Sequence, residues 1–263
     1  MRSPALSAPT TRAEDRRLDA PRPGERIEGA DLSEVDWAEA DASDAVFVGC
    51  TLAGARFAAT VLSGARFERC KLPRVRFSHA DLREAVFEDC QFADPATQAG
   101  AVFAFSRLDG ARLARCDLTH ARFEGSDLYD VRFEACNLLG AVFARTSFGR
   151  TFGRKVERIA AELVDCNLEL ADLSGARLPG ASLSRSRLRE TDLSGADLEG
   201  ADLTGADLFQ AIVNDARLAS ADLTGAEVSG LDLRRLASYQ GLKITADQQF
   251  RLLDAMGIDV RPE

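Results

Sequence analysis

The side chains in this chain best suited to chemistry are six cysteines and two histidines. Thiolates serve as metal ligands or nucleophiles, and a nearby imidazole would supply the base. Ligand sets need short intervals of the C-x-x-C kind. Here Cys50, Cys70 and Cys90 stand 20 residues apart, as do Cys116 and Cys136, while His79 and His120 are isolated. Neither a zinc cluster nor a Cys and His nucleophile pair fits such intervals, so the cysteines read as small interior filler. Carboxylate acid and base catalysis is the remaining candidate, since the chain holds 42 Asp and Glu. Many of them follow a small residue in a short repeat and face solvent, without the desolvation that tunes a catalytic carboxyl. The expectation is a non-enzyme, with no catalytic residue, metal or cofactor.

A five-residue period must position these side chains. ADLSG, ADLEG and ADLTG units run almost unbroken from Ala171 to Gln210, and AVFVG, CTLAG, ARFAA and TVLSG begin an earlier series at Ala45. Each unit has a small residue, a mostly polar one, Leu or Phe, then two polar or small residues. In an α-helix the Leu or Phe would step about 140° per repeat, and in a strand it would change faces each time. It stays on one side only if the chain bends once per repeat, and glycine at the last position permits positive φ in such a bend. The 20-residue cysteine interval then means four repeats per turn: a four-sided, all-β solenoid. Trp37, Phe57 and Phe77 form one interior series and Phe47, Phe67 and Phe87 another, with leucines between them.

Two segments break the period. Removing Pro95 to Gly100 returns Cys116 to the earlier cysteine series, which makes these six residues a loop bulging from a corner. The fifteen residues Thr151 to Asp165 do not return Cys166 to that phase. Val156, Ile159 and Leu163 have helical spacing and favour a projecting loop with partial helix, whereas Val156 and Ala161 equally start degenerate repeats. Beyond Arg235, Thr245 and Gln248 form a capping box, and Ala246, Phe250, Leu253 and Met256 share one helix face until Gly257. A solenoid must cover its open end. This helix is the expected cap, and its surplus apolar face offers a contact for a second copy through Phe250, Leu253, Met256 and Ile258. The divisions expected are a flexible lead over 1–29, the rod over 30–235 with loops at 95–100 and 149–165, and a capping and dimerisation helix over 236–263.

The net charge is -9, which disfavours a grip on phosphates. No apolar run approaches the roughly 18 to 20 residues of a membrane span, and no secretory signal is expected. The reading is a cytoplasmic protein whose partners are proteins, with no direct nucleic acid binding and no membrane. Residues 166–235 carry 12 acidic and 7 basic residues. A four-sided coil puts Asp172, Asp192 and Asp232 on one side, Asp202 and Asp222 on the next, and Asp207 and Glu227 on the next. Fourteen repeats make about 17 Å of rod, over which a duplex carries about ten charges. The net of five here suits a partial imitation of DNA.

The tandem ADLSG, ADLEG and ADLTG units resemble the pentapeptide repeat proteins over about Ala30 to Arg235. Gly241 to Ile258 looks like the C-terminal segment of the quinolone-resistance (Qnr-type) branch. The resemblance implies a right-handed quadrilateral β-helix with a C-terminal α-helix cap. It also implies a DNA-mimicking homodimer that binds DNA gyrase or topoisomerase IV and protects it from fluoroquinolones or natural-product gyrase toxins. By the same resemblance both loops engage the enzyme, with Arg154, Lys155 and Arg158 as contacts beside the acidic residues Asp172, Asp192, Asp202, Asp207, Asp222 and Glu227. The alternative is a β-helical scaffold or regulator that docks another protein partner.

Overall fold

One large apolar residue in every five can be buried only if the chain turns once per repeat, and the backbone does so as a right-handed, four-sided β-helix. The structure, a computed structural model, describes residues 20–152, 156–259 and 261. Face one is a seven-stranded parallel sheet of Arg26–Glu28, Val46–Val48, Arg66–Glu68, Val86–Glu88, Arg112–Ala114, Val131–Glu134 and Ala161–Val164. Face three opposes it with Arg56–Ala58, Arg76–Ser78, Val102–Ala104 and Arg122–Glu124. Faces two and four, between them, are joined rung to rung by single parallel bridges such as Asp31 to Thr51 and Asp41 to Val61. Face two alone carries ten rungs, from Asp31 to Glu227. At ~4.8 Å per rung that is about 43 Å of rod.

Register puts like on like. Phe47, Phe67 and Phe87 stack at 4.6–4.7 Å, and Phe57, Phe77, Phe103, Phe123 and Phe143 at 4.7–4.9 Å, with ring planes within 11°. The ring spacing is the strand spacing, so backbone ladder and aromatic column reinforce one another. At one corner Cys50, Cys70, Cys90, Cys116, Cys136 and Cys166 form a buried column. Each thiol donates to a carbonyl of the coil beneath, at 3.1–3.5 Å, and Ser186 continues the pattern with 2.6 Å to Leu163 O. Neighbouring thiols and burial push Cys70, Cys116 and Cys166 above the ordinary thiol range. A neutral donor is what an apolar corner with one carbonyl to satisfy requires.

The rod exceeds its expected limits at both ends. Arg26–Glu28 already pairs with Val46–Val48, so the first coil begins inside the segment expected to be a flexible lead. At the other end the 3-10 turn Leu233–Arg235 adds one residue, after which Ser238 still bridges Arg217 and Lys243 still bridges Asp222. Degenerate sequence suffices there because backbone hydrogen bonds to the preceding coil guide the path.

The loop Pro95 to Gly100 does bulge from a corner, and Val102 pairs with Arg76 beneath it. Asp94 ties it down: its backbone N–H donates to Ala99 O at 3.0 Å and its carboxylate accepts from Ala96 N–H at 2.9 Å. Gly100 allows the closure, since a Cβ there would lie 2.2 Å from the His120 carbonyl carbon. The second insertion corrects the expectation of a fifteen-residue loop with partial helix over 151–165. Gly149–Phe152 and Val156–Ile159 form an antiparallel hairpin, and Ala161 resumes the rod opposite Val131. A hairpin returns the chain to the corner it left, so Cys166 rejoins the cysteine column. Leu163 is a face-one core residue, and its helical spacing from Ile159 is coincidental.

The cap differs in orientation from the sequence reading. Helix Gln248–Ala255 turns Gln248 and Leu252 onto the rod, with Leu252 3% exposed, while Leu253 and Met256 are half-buried. Phe250 (49%) and Ile258 (46%) remain exposed. Gln248 joins helix to rod. Its Oε1 accepts from Thr245 N–H at 2.6 Å, and its Nε2 donates to Leu223 O and Ala226 O, both at 2.7 Å. Thr245 thus meets Gln248 as a capping box requires on one side only, and Asp247 occupies the N-cap.

Removing one ring should break two stacking contacts and leave a cavity. Phe103→Ala is expected to cost about 3–5 kcal/mol and to lower the melting temperature by roughly 10 °C. A shift under a few degrees in calorimetry would mean that the column contributes little.

Candidate partner-binding surface

The outward polar residue of each repeat has a local duty before it has a partner. Where it is aspartate, its carboxylate accepts a hydrogen bond from the backbone N–H two residues on: Ser174 to Asp172, Ser194 to Asp192, Thr204 to Asp202, Phe209 to Asp207 and Thr224 to Asp222, at 2.9–3.1 Å. Glu227 does the same for Ser229 at 2.8 Å. This is the Asx turn, and it explains why the ADL motif prefers aspartate. The acidity of the surface is in part a by-product of corner chemistry.

The structure brings the predicted acidic residues into rows. Asp172 bridges Asp192 on face three, Asp202 bridges Asp222 on face one, and Asp207 bridges Glu227 on face two. Their fields are unequal. Asp207 meets Arg189 at 3.4 Å, Asp222 meets Lys243 at 3.4 Å, and Glu227 meets Arg251 of the C-terminal helix at 2.8 Å. Asp232 is bound to Arg234 at 2.9 Å and leaves its row to cap the 3-10 turn.

The two insertions leave diagonally opposite corners. The loop lies between faces two and three, and the hairpin between faces four and one. Arg150 anchors the hairpin, with Asp127 at 2.9 Å, Asp109 at 3.1 Å and the Tyr129 ring 4.8 Å away. An open groove beneath the hairpin runs along face one past Arg66, Arg112 and Asp130. Sequence reasoning missed Arg150 and its partners, because their proximity follows only once the hairpin is separated from the resumed rod. Of the basic contacts expected in this insertion, Arg154 and Lys155 lie outside the described residues, and the backbone of Arg158 pairs with Arg150 across the hairpin. At the C-terminal end Phe250 and Ile258 are outward, whereas Leu253 and Met256 are partly covered.

Among the described residues no group of three or more His, Cys, Asp or Glu could hold a metal ion. His79 stacks on Phe105 at 5.4 Å. No described helix is long and apolar enough to cross a membrane.

Family models tile the rod. Pentapeptide repeats match in eight copies over residues 99–134, 166–205 and 201–235, and the pentapeptide repeat region model matches residues 26–95. The chain belongs to the pentapeptide repeat family. Among solved structures this pentapeptide repeat protein is similar to full-length QnrB1, a plasmid-mediated fluoroquinolone resistance protein. The TM-score is 0.74 and the identity 29%, covering 79% of this chain and 97% of that one. A trypsin-treated QnrB1 variant aligns with a TM-score of 0.71 and 26% identity over 90% of this chain and 99% of that one. HetL, involved in heterocyst differentiation regulation in the cyanobacterium Nostoc, aligns with a TM-score of 0.51 and 25% identity, covering 88% and 90%. No curated protein matches the sequence.

Two outcomes test this geometry. Arg150→Ala should free the hairpin base and speed limited proteolysis within it, while the rod's melting temperature changes little. Equal cleavage in both proteins would mean that Arg150 does not anchor the hairpin. The second concerns acid. Hydrogen bonding to Arg234 holds Asp232 down to about 2, and the turn bonds to Ser33 and Ser43 hold Asp31 and Asp41 below the ordinary range. Carboxyls lowered in the folded state add stability that is complete above their unfolded pKa of about 3.9 and is lost as pH falls through the folded value. Circular dichroism should therefore show thermal stability falling between about pH 4 and 2. A loss centred near pH 6 would contradict this origin.

Proposed function

We propose that this protein is a non-enzymatic shield for a type II topoisomerase, DNA gyrase or topoisomerase IV, against poisons such as fluoroquinolones or natural-product gyrase toxins. The observation that carries the reading is the likeness to QnrB1 over 79–90% of this chain and 97–99% of that one. Two features of this chain support it. Acid predominates in the C-terminal half of the rod, where Asp172, Asp192 and Asp202 have no ion pair among the described residues, which suits a surface that stands in for duplex phosphates. The loop and hairpin project from opposite corners, so they can reach two parts of a large partner while the rod lies between them. The chain acts by occupying a DNA-binding surface, and the loop, the hairpin and the acidic rows are the contacts. Two copies join end to end through Phe250, Leu253, Met256 and Ile258. The second reading, a scaffold or regulator docking another protein, draws on the likeness to HetL.

The test is supercoiling by purified gyrase in the presence of a fluoroquinolone. Added protein should restore activity, and a variant lacking Gly149 to Ile159 should stay folded and lose most of that effect. No rescue at any concentration, with several poison classes tried, favours the scaffold reading. Phe250→Asp combined with Met256→Asp should give monomers by light scattering, and a persistent dimer would refute contact through the helix.

A further inference from the structure

Face three carries a charge order of which the acidic-rod reading uses only one end, Asp172 and Asp192. Between Asp36 on its first rung and Ile212 on its last, its outward residues, one per rung, run Arg56, Arg76, Val102, Arg122, Val142, Asp172, Asp192. The three arginines are exposed and have no ion pair among the described residues, and neither do Asp172 and Asp192. The series is palindromic with inversion of charge about Arg122. Turned end for end, it sets Arg56 against Asp192, Arg76 against Asp172 and Val102 against Val142.

The second outward row of the same face is Ala58, Ser78, Ala104, Glu124, Ala144, Ser174 and Ser194. Six of these seven are Ala or Ser, so nothing bulky holds another flat face away. The exception, Glu124, sits on the rung of Arg122 and is paired with Arg145 of its own chain at 2.6 Å. The phenylalanines behind the arginine-bearing rungs stack within 11° of parallel, which keeps these rungs in line.

We propose that face three binds the same face of a second copy, with the rods antiparallel and the two-fold axis at the Arg122 rung. The axis lies in the interface along the strand direction, so each rung meets its mirror rung with outward row on outward row. Arg56 and Arg76 of each copy then meet Asp192 and Asp172 of the other. At the axis Arg122 meets Arg122 of the other copy and Glu124 meets Glu124. Glu124 is already held by Arg145 of its own chain, so the axial rung adds no attraction and the four Arg–Asp pairs carry the contact. An isologous contact of this kind requires a self-complementary patch, and this face provides one. A polyanion is the poorer occupant, because it would gain the arginines while meeting Asp172 and Asp192 on the same surface. Seven rungs by one strand width is roughly 300 Å² per copy, well below the ~800 Å² of a standard interface. The contact is therefore weak and concentration-dependent. It uses the side of the rod and is independent of the end-to-end pairing proposed above.

The experiment is sedimentation velocity over a concentration series, in a Phe250→Asp, Met256→Asp background so that end-to-end pairing does not contribute. The parent should self-associate. Arg56→Glu with Arg76→Glu, and separately Asp172→Arg with Asp192→Arg, should each weaken association at least tenfold by setting like charges opposite. An equimolar mixture of the two variants should associate again, because each of the four pairs is then of opposite sign. The proposal is overturned if the parent stays monomeric into the millimolar range, if either variant associates like the parent, or if the mixture of folded variants stays monomeric. It is equally overturned if the arginines prove to bind a DNA duplex or polyglutamate while no self-association occurs. Should a charge reversal prevent folding by circular dichroism, Arg56→Gln with Arg76→Gln must still weaken association.

Discussion

The interior of this rod has room for one large apolar side chain per face and one small residue per corner, and that steric limit governs everything else. It sets the period, because a fifth residue must turn the chain before the next large one can enter. It sets the register, because identical positions then lie at strand spacing above one another. The phenylalanine stacks and the cysteine column are two results of one rule. Large flat side chains suit the middle of a face, and small side chains with a weak donor suit a corner that presents one carbonyl.

The same rule explains how much could be read without coordinates. The four sides, the interior series and the six-residue loop were legible because each follows from counting in fives and twenties. The hairpin was not. Its pairing is antiparallel and local, so Val156 and Ile159 carry no signal of the rod's period, and their helical spacing to Leu163 draws that residue into the insertion although it belongs to the core. The ends of the rod were hidden for a related reason. Glu25 to Ile27 and Ala237 to Lys243 lack the repeat signature, yet hydrogen bonds from the adjoining coil suffice to lay them down.

The candidate surface was legible in composition and less so in arrangement. The aspartates were expected as a solvent-facing field, and many first satisfy a turn N–H. Gln248 was expected to serve only its own helix, and it also satisfies two carbonyls of the last coil. Both differences arise because a solenoid exposes backbone groups at every corner and at its open end, and nearby side chains answer them before any partner does. The sign of the surface also changes along the rod. Arginines outnumber aspartates on face three up to Arg122, and acid takes over at Asp172.

The two projections are set by a quantised geometry. Phe92 precedes the loop and Phe148 precedes the hairpin, and once the six loop residues are discounted the interval is ten repeats, or two and a half turns. One extra pentapeptide between them would swing the hairpin a quarter-turn about the rod and advance it by only about 1.2 Å. Angular placement is thus coarse and axial placement fine, so the relative bearing of the two appendages is a discrete choice with four values. A lineage can retune it only in whole steps.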